Sequence, residues 1–158
     1  METAASVIAV IQLLDRVATQ CYQYAKAVRD AKSDIERLQG ELSQLRTILG
    51  DTEKLLNGPH GDSLKTSQVF YSTIRECTLQ LQDLEQTLRT RLEIGSSKGK
   101  KLMTRFGLRA LKWPFEQEDM NRIAQTLNKS RDILSAALNI DQTYVSAASF
   151  QTLSLNRQ

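Results

Sequence analysis

Apolar residues recur along this chain in alternating steps of three and four. Val7, Ile11, Leu14, Ala18, Cys21, Ala25 and Val28 form a first run. Ala31, Ile35, Leu38, Leu42, Leu45, Leu49 and Leu56 continue in the same phase, with Thr52 filling one slot. Phe70, Ile74, Cys77, Leu81, Leu84 and Leu88 make a third run; Met120, Ile123, Leu127, Leu134 and Ala137, with Ser130 interposed, make a fourth. This spacing puts each set on one face of an α-helix, and four such faces predict an all-α four-helix bundle.

The breaks between runs differ in strength. Asn57-Gly58-Pro59-His60-Gly61-Asp62 is a strong stop, with Asp62 suited to cap the third helix. Gly95-Ser96-Ser97-Lys98-Gly99 ends that helix, and Trp113-Pro114 breaks the chain again. Glu116, Glu118 and Asp119 then suit the positive end of the fourth helix. The first break is weak, because no Gly or Pro lies between Val28 and Ile35. Ser33-Asp34-Ile35-Glu36 has the form of a capping box and predicts two antiparallel helices there. Beyond Asn139 the segment Gln142–Gln158 carries one charge and no helical period. It reads as a linker or tail, so the bundle is expected over 1–140 and the tail over 141–158.

Two segments depart from ordinary bundle patterning. Ala4–Leu14 contains nine apolar residues in eleven, so its outward face (Ala5, Ile8, Ala9) is apolar as well. A helix apolar all round is buried on every side, or meets lipid or a partner. Ala4, Val7, Ile8, Val10, Ile11 and Leu14 are therefore candidate membrane-insertion residues. Their segment spans only about 17 Å before Asp15-Arg16 stops it, roughly half a hydrocarbon core. The bland reading tucks this end under the second unusual segment.

That second segment is KGKKLMTRFGLRALKWPF. The chain's net charge is +3, yet six basic residues and no acid fall between Lys98 and Lys112. Elsewhere fifteen basic residues face eighteen acidic ones, so the protein is mildly acidic with one basic patch. Lys98, Lys100, Lys101, Arg105, Arg109 and Lys112, set among Leu, Phe and Trp, suit an anionic lipid interface. Nucleic acid ranks lower, since the cluster is short and lacks interleaved stacking aromatics. A solvated connector helix is the bland alternative.

Catalysis is not expected. The chain has one His and two Cys, and no phosphate-binding loop, HExxH or GxSxG. No metal or cofactor is expected either. Cys21 and Cys77 fall on apolar faces and read as buried free thiols of a reducing compartment. The longest apolar run, Val7–Ile11, is far short of a span, and the start Met1-Glu2 lacks a signal peptide's basic region. The expected location is cytoplasmic.

The opening METAASVIAVIQLLDRVATQCYQYAKAVRDAKSDIERLQGELSQLRTIL, with its SVIAVIQL start and AKSDIERL turn into helix two, and the later KWPF, resembles the HeLo-like (HELL) domain. That domain stands at the head of many fungal NLR-like (NACHT or NB-ARC) receptors and of fungal cell-death effectors. The likeness covers about residues 1–140. It implies a four-helix bundle with an additional short helix between helices three and four. It also implies oligomerisation and membrane permeabilisation, triggered by a C-terminal domain or an amyloid motif partner. Unlike some relatives, this chain has no run of glycines in its first helix.

Together these features point to a cell-death execution domain, cytoplasmic at rest and at the plasma membrane on activation. Its expected partners are anionic membrane lipids, further copies of itself on activation, and an upstream NLR-like receptor or amyloid motif partner, with no nucleic acid. The competing reading is a non-lytic helical adaptor or regulatory domain of a fungal NLR-like receptor.

Overall fold

A computed structural model describes residues 2–28, 30–58, 68–97 and 112–155, with side chains over 5–28, 30–58, 68–92 and 112–139. Four α-helices and no strand occur among the described residues: α1 Glu2–Ala27, α2 Lys32–Leu56, α3 Gln68–Ser97 and α4 Gln117–Leu155. The connection between α3 and α4, where an additional short helix was expected, lies outside the described residues up to Lys112, as does Asp62.

The apolar stripes of α2 and α3 are buried as the spacing predicts. Ile35, Leu38, Leu42, Leu45, Leu49 and Leu56 are at most 2% exposed, and the slot at Thr52 is buried with them. Thr52 is accommodated by donating its hydroxyl to the Ile48 carbonyl, 2.7 Å away. Phe70, Ile74, Cys77, Leu81, Leu84 and Leu88 line the core from α3, and Met120, Ile123, Leu127, Ser130 and Leu134 from α4.

Helix α1 departs from its expected stripe. Its core side chains are Val7, Val10, Leu13, Leu14, Val17, Cys21 and Tyr24, while Ala25 is exposed and Ile11 and Ala18 are half-buried. The reason is that α1 packs extensively on both α2 and α3, which takes a broader apolar face than one stripe. Tyr24 fills volume that the neighbouring alanine cannot.

Helix directions follow from pairs across the interfaces. Asp15 and Arg46 meet at 2.7 Å, making α1 and α2 an antiparallel hairpin. The Tyr24 hydroxyl donates to the Leu88 carbonyl at 3.2 Å, and Ser6 shares a groove with Tyr71, so α1 and α3 run parallel side by side. Arg37 donates to Asn121 and Arg131 approaches Glu41, so α2 and α4 are parallel neighbours too. Helices α2 and α3, consecutive in the chain, share no comparable interface.

The helix ends show which local signals operated. The break between α1 and α2 is present, but the Ser33–Glu36 capping box is not used. The N-cap of α2 is Ala31, with no side-chain cap, and Ser33 already lies inside the helix. Burial of Ala31 and Ile35 against the core places the turn there instead. At α2's end, the Asn57 and Gly58 amides bond back to Glu53 and Leu55 carbonyls. At α4's start, Asp119 reaches back to accept the Glu116 backbone N–H at 3.1 Å, one half of a capping box after Pro114. The α4 backbone stays helical to Leu155, where an irregular linker was expected after residue 140. No Gly or Pro follows Pro114, so nothing in the local chemistry stops it.

Leu42→Ala and Leu81→Ala should each lower stability by about 2–5 kcal/mol, since each empties a fully enclosed site. Gly40→Ala should raise it by about 0.5–1 kcal/mol, because the added Cβ meets nothing within 4 Å on an exposed helix face. Urea titrations followed by circular dichroism check both; equal midpoints for all four proteins would contradict this core.

Candidate functional site

The first turns of α1 present apolar side chains in both directions. Val7, Val10 and Leu14 are 0–1% exposed and belong to the core, and Ile11 packs against it from a half-buried position. Ile8 turns outward and is 39% exposed, flanked by exposed Ala5 and Ala9. Ala4 lies in the helical backbone, and its side chain is outside the described residues. No charged residue occurs from Thr3 to Leu14.

Of the six basic candidates, only Lys112 is among the described residues, and it is exposed. Its neighbour Trp113 fixes where it sits. The indole meets the Tyr24 ring edge-on at 5.4 Å and Phe115 at 5.3 Å. Tyr24 is fully buried and bonded to Leu88, so this aromatic cluster closes the end of the bundle away from Ile8. The Trp113 indole N–H is buried without an acceptor among the described residues. Ile8 and Tyr24 are sixteen residues apart on one helix, about 24 Å of rise. Lys112 and the apolar first turns therefore occupy opposite ends. Ile8 therefore does not tuck under Trp113, the described end of the second unusual segment, and Phe106 of that segment lies outside the described residues.

Two surface grooves accompany this arrangement. One, of about 500 Å³, runs along α2 past Arg46, Asp51, Glu53 and Lys54, where opposite charges neutralise one another. The other, of about 480 Å³, opens between α1 and α3 beside Ser6. Its floor is Phe70 and Ile74, its walls Tyr71 and Leu79, and its cation Arg75, and no acid lines it among the described residues. The sequence reading missed this groove. The available signal was Leu79, an apolar residue two positions before Leu81 and therefore off the α3 stripe; it is 58% exposed.

Three titratable groups inside the bundle, Cys21, Tyr24 and Cys77, are pushed toward their neutral forms. Burial pushes the Cys21 thiol up to about 12. Burial likewise raises Tyr24 to about 12, with the Arg91 guanidinium opposing it. The Cys77 thiol is raised by burial and partly restored by a hydrogen bond with Ser130 of α4. Neither thiol is paired, and no group of metal-ligating residues occurs among the described residues.

A neutral-thiol reagent accessibility assay tests the burial. At pH 8, Cys21 and Cys77 should resist a maleimide in the folded protein and react fully in denaturant; rapid labelling of either in the folded state would contradict their enclosure. Stability should also fall as pH rises from about 9 to 12. In that window the unfolded chain releases the Cys21 proton while the folded chain retains it, so alkali favours unfolding.

No family model, curated protein or solved structure matches this chain.

Proposed function

We propose that this helical bundle is a membrane-targeting cell-death execution domain of the HeLo-like type. It oligomerises when a downstream domain clusters several copies, and it then permeabilises membranes. The observation that supports this reading most is the outward apolar face of α1. Ile8 is exposed in a segment that carries no charge for twelve residues, beside core residues of the same helix. An ordinary surface helix turns polar residues outward at those positions.

None of the described helices is long and apolar enough to cross a membrane. The reading therefore requires partial insertion by several copies. Removing Val7, Val10 and Leu14 from the core forfeits about 1.5–3 kcal/mol each, which lipid burial returns. Clustering supplies affinity that a single short segment lacks. The Lys98–Lys112 segment contributes attraction to anionic headgroups, about 1 kcal/mol per cation near the surface.

Dye leakage from phosphatidylserine-containing vesicles, with copies clustered by a fused oligomerisation domain, tests the reading. Ile8→Asp should leave thermal unfolding of the unclustered protein nearly unchanged, because the position is already solvated. It should abolish leakage, because a carboxylate near the bilayer centre costs about 2.5–3.5 kcal/mol per copy. A lowered melting temperature would make Ile8 structural, and intact leakage would remove it from the mechanism.

Changing Lys98, Lys100, Lys101 and Arg105 together to Gln should weaken binding to the same vesicles by up to about three orders of magnitude at low salt, with helicity unchanged. Parent binding that ignores both ionic strength and phosphatidylserine content would count against the basic segment's role.

A further inference from the structure

Proposing that α1 enters a bilayer raises a geometric difficulty. The described end of the basic segment, Lys112, sits with Trp113 and Tyr24 at the far end of the bundle from Ile8. A cation that holds headgroups while the first turns of α1 meet lipid has to lie near those turns.

The groove between α1 and α3 offers one. Arg75 stands at its rim, exposed, and makes no ion pair or hydrogen bond with a described residue. Glu76 is the nearest acid in sequence, but one residue further is 100° around the helix, and Glu76 does not line the groove. Beneath Arg75 the floor is apolar, Phe70 and Ile74, and beside it Leu79 and Tyr71 are 58% and 41% exposed. Ser6, from the first turns of α1, forms the opposite wall. A guanidinium with no acidic partner among the described residues, above an apolar trough, is complementary to an amphiphile with an anionic head and an acyl tail. Guanidinium also pairs with phosphate through two parallel N–H donors. An aromatic with a polar tip, as Tyr71 is, suits the headgroup level of a bilayer. The mixed-charge groove on α2 offers neither the net charge nor the apolar floor.

We propose that the α1–α3 groove seats an anionic phospholipid of the bilayer surface. Arg75 holds its phosphate, Leu79 and Tyr71 hold the upper part of its acyl chain, and α1's first turns are thereby set toward the membrane. The proposal rests on the membrane reading above and adds to it a site on α3 that the basic segment does not contain.

The test uses the full chain and vesicles of phosphatidylcholine alone or of equimolar phosphatidylcholine and phosphatidylserine, with binding read by cosedimentation. Arg75→Gln should weaken binding to the anionic vesicles about fivefold, and leave weak binding to the neutral ones unaltered. Leu79→Gln should weaken both. Neither should move the melting temperature, because both side chains are exposed. A fluorophore on a cysteine placed at Ser72, in the background Cys21→Ala and Cys77→Ala, should shift to the blue on anionic vesicles; the same label at Asp132 should not.

Parent binding that Arg75→Gln and Leu79→Gln leave untouched, while the four-Gln basic variant loses it, would overturn the groove and leave the membrane reading standing. Absence of parent binding to either vesicle overturns both. Variants that alter self-association in light scattering but not vesicle binding would make the groove a contact between copies and overturn lipid seating.

Discussion

The apolar face of α1 has to be shared between two neighbours, and that sharing sets the arrangement of the bundle. Seven buried side chains from Val7 to Tyr24 cover more of the helix circumference than one stripe does. One flank meets α2 through the tight hairpin that Asp15 and Arg46 bridge; the other meets α3, which runs parallel to α1. Once α2 and α3 lie on either side of α1, their remaining apolar surface closes on α4. The core is then a continuous cluster fed by all four helices.

Polar groups are fitted around this core at limited cost. Buried threonines donate to carbonyls one turn back, Thr52 to Ile48 and Thr73 to Val69. Tyr24 donates across to Leu88. The exposed Asp15–Arg46 pair adds orientation more than stability, since solvent screens it. Across the seam between α2 and α4, Arg37 donates to Asn121 at 2.8 Å. There the Arg131–Glu41 separation is 3.9 Å, and, among the described residues, Glu41 Oε2 and Asn128 Oδ1 of these helices find no donor. Unmet acceptors of this kind lower the stability of the contact that encloses them.

The bundle has two chemically different ends. At one, the aromatic cluster of Tyr24, Trp113 and Phe115 seals the core beside Lys112. At the other, α1 and α3 begin with residues that carry no charge until Asp15 and Arg75, once Glu2 is passed. The proposed membrane activity draws on this polarity. An apolar end that is already exposed at Ile8 and Leu79 needs less rearrangement to meet lipid than the sealed end does.

Much of this was readable from residue order. The faces of α2 and α3 emerged position by position, because a helix with one dominant core direction repeats its apolar residues at 3.6. Strong breakers placed the stops near Asn57-Gly58 and before Glu116, because Gly and Pro act through their own backbone whatever surrounds them. The outward apolar face at Ile8 was visible too, as an interruption of the polar stripe. Where neighbours compete, residue order was insufficient. Tyr24 rather than Ala25 enters the core because α3 comes alongside, and α2 starts at Ala31 rather than on its apparent capping box because burial of Ala31 and Ile35 outweighs one side-chain hydrogen bond. The separation of Lys112 from Ile8, and the groove that Ser6 and Arg75 share, are relations between segments far apart in the chain. Such relations are set by which helices pack together, and a periodicity specifies a face without specifying what it will meet.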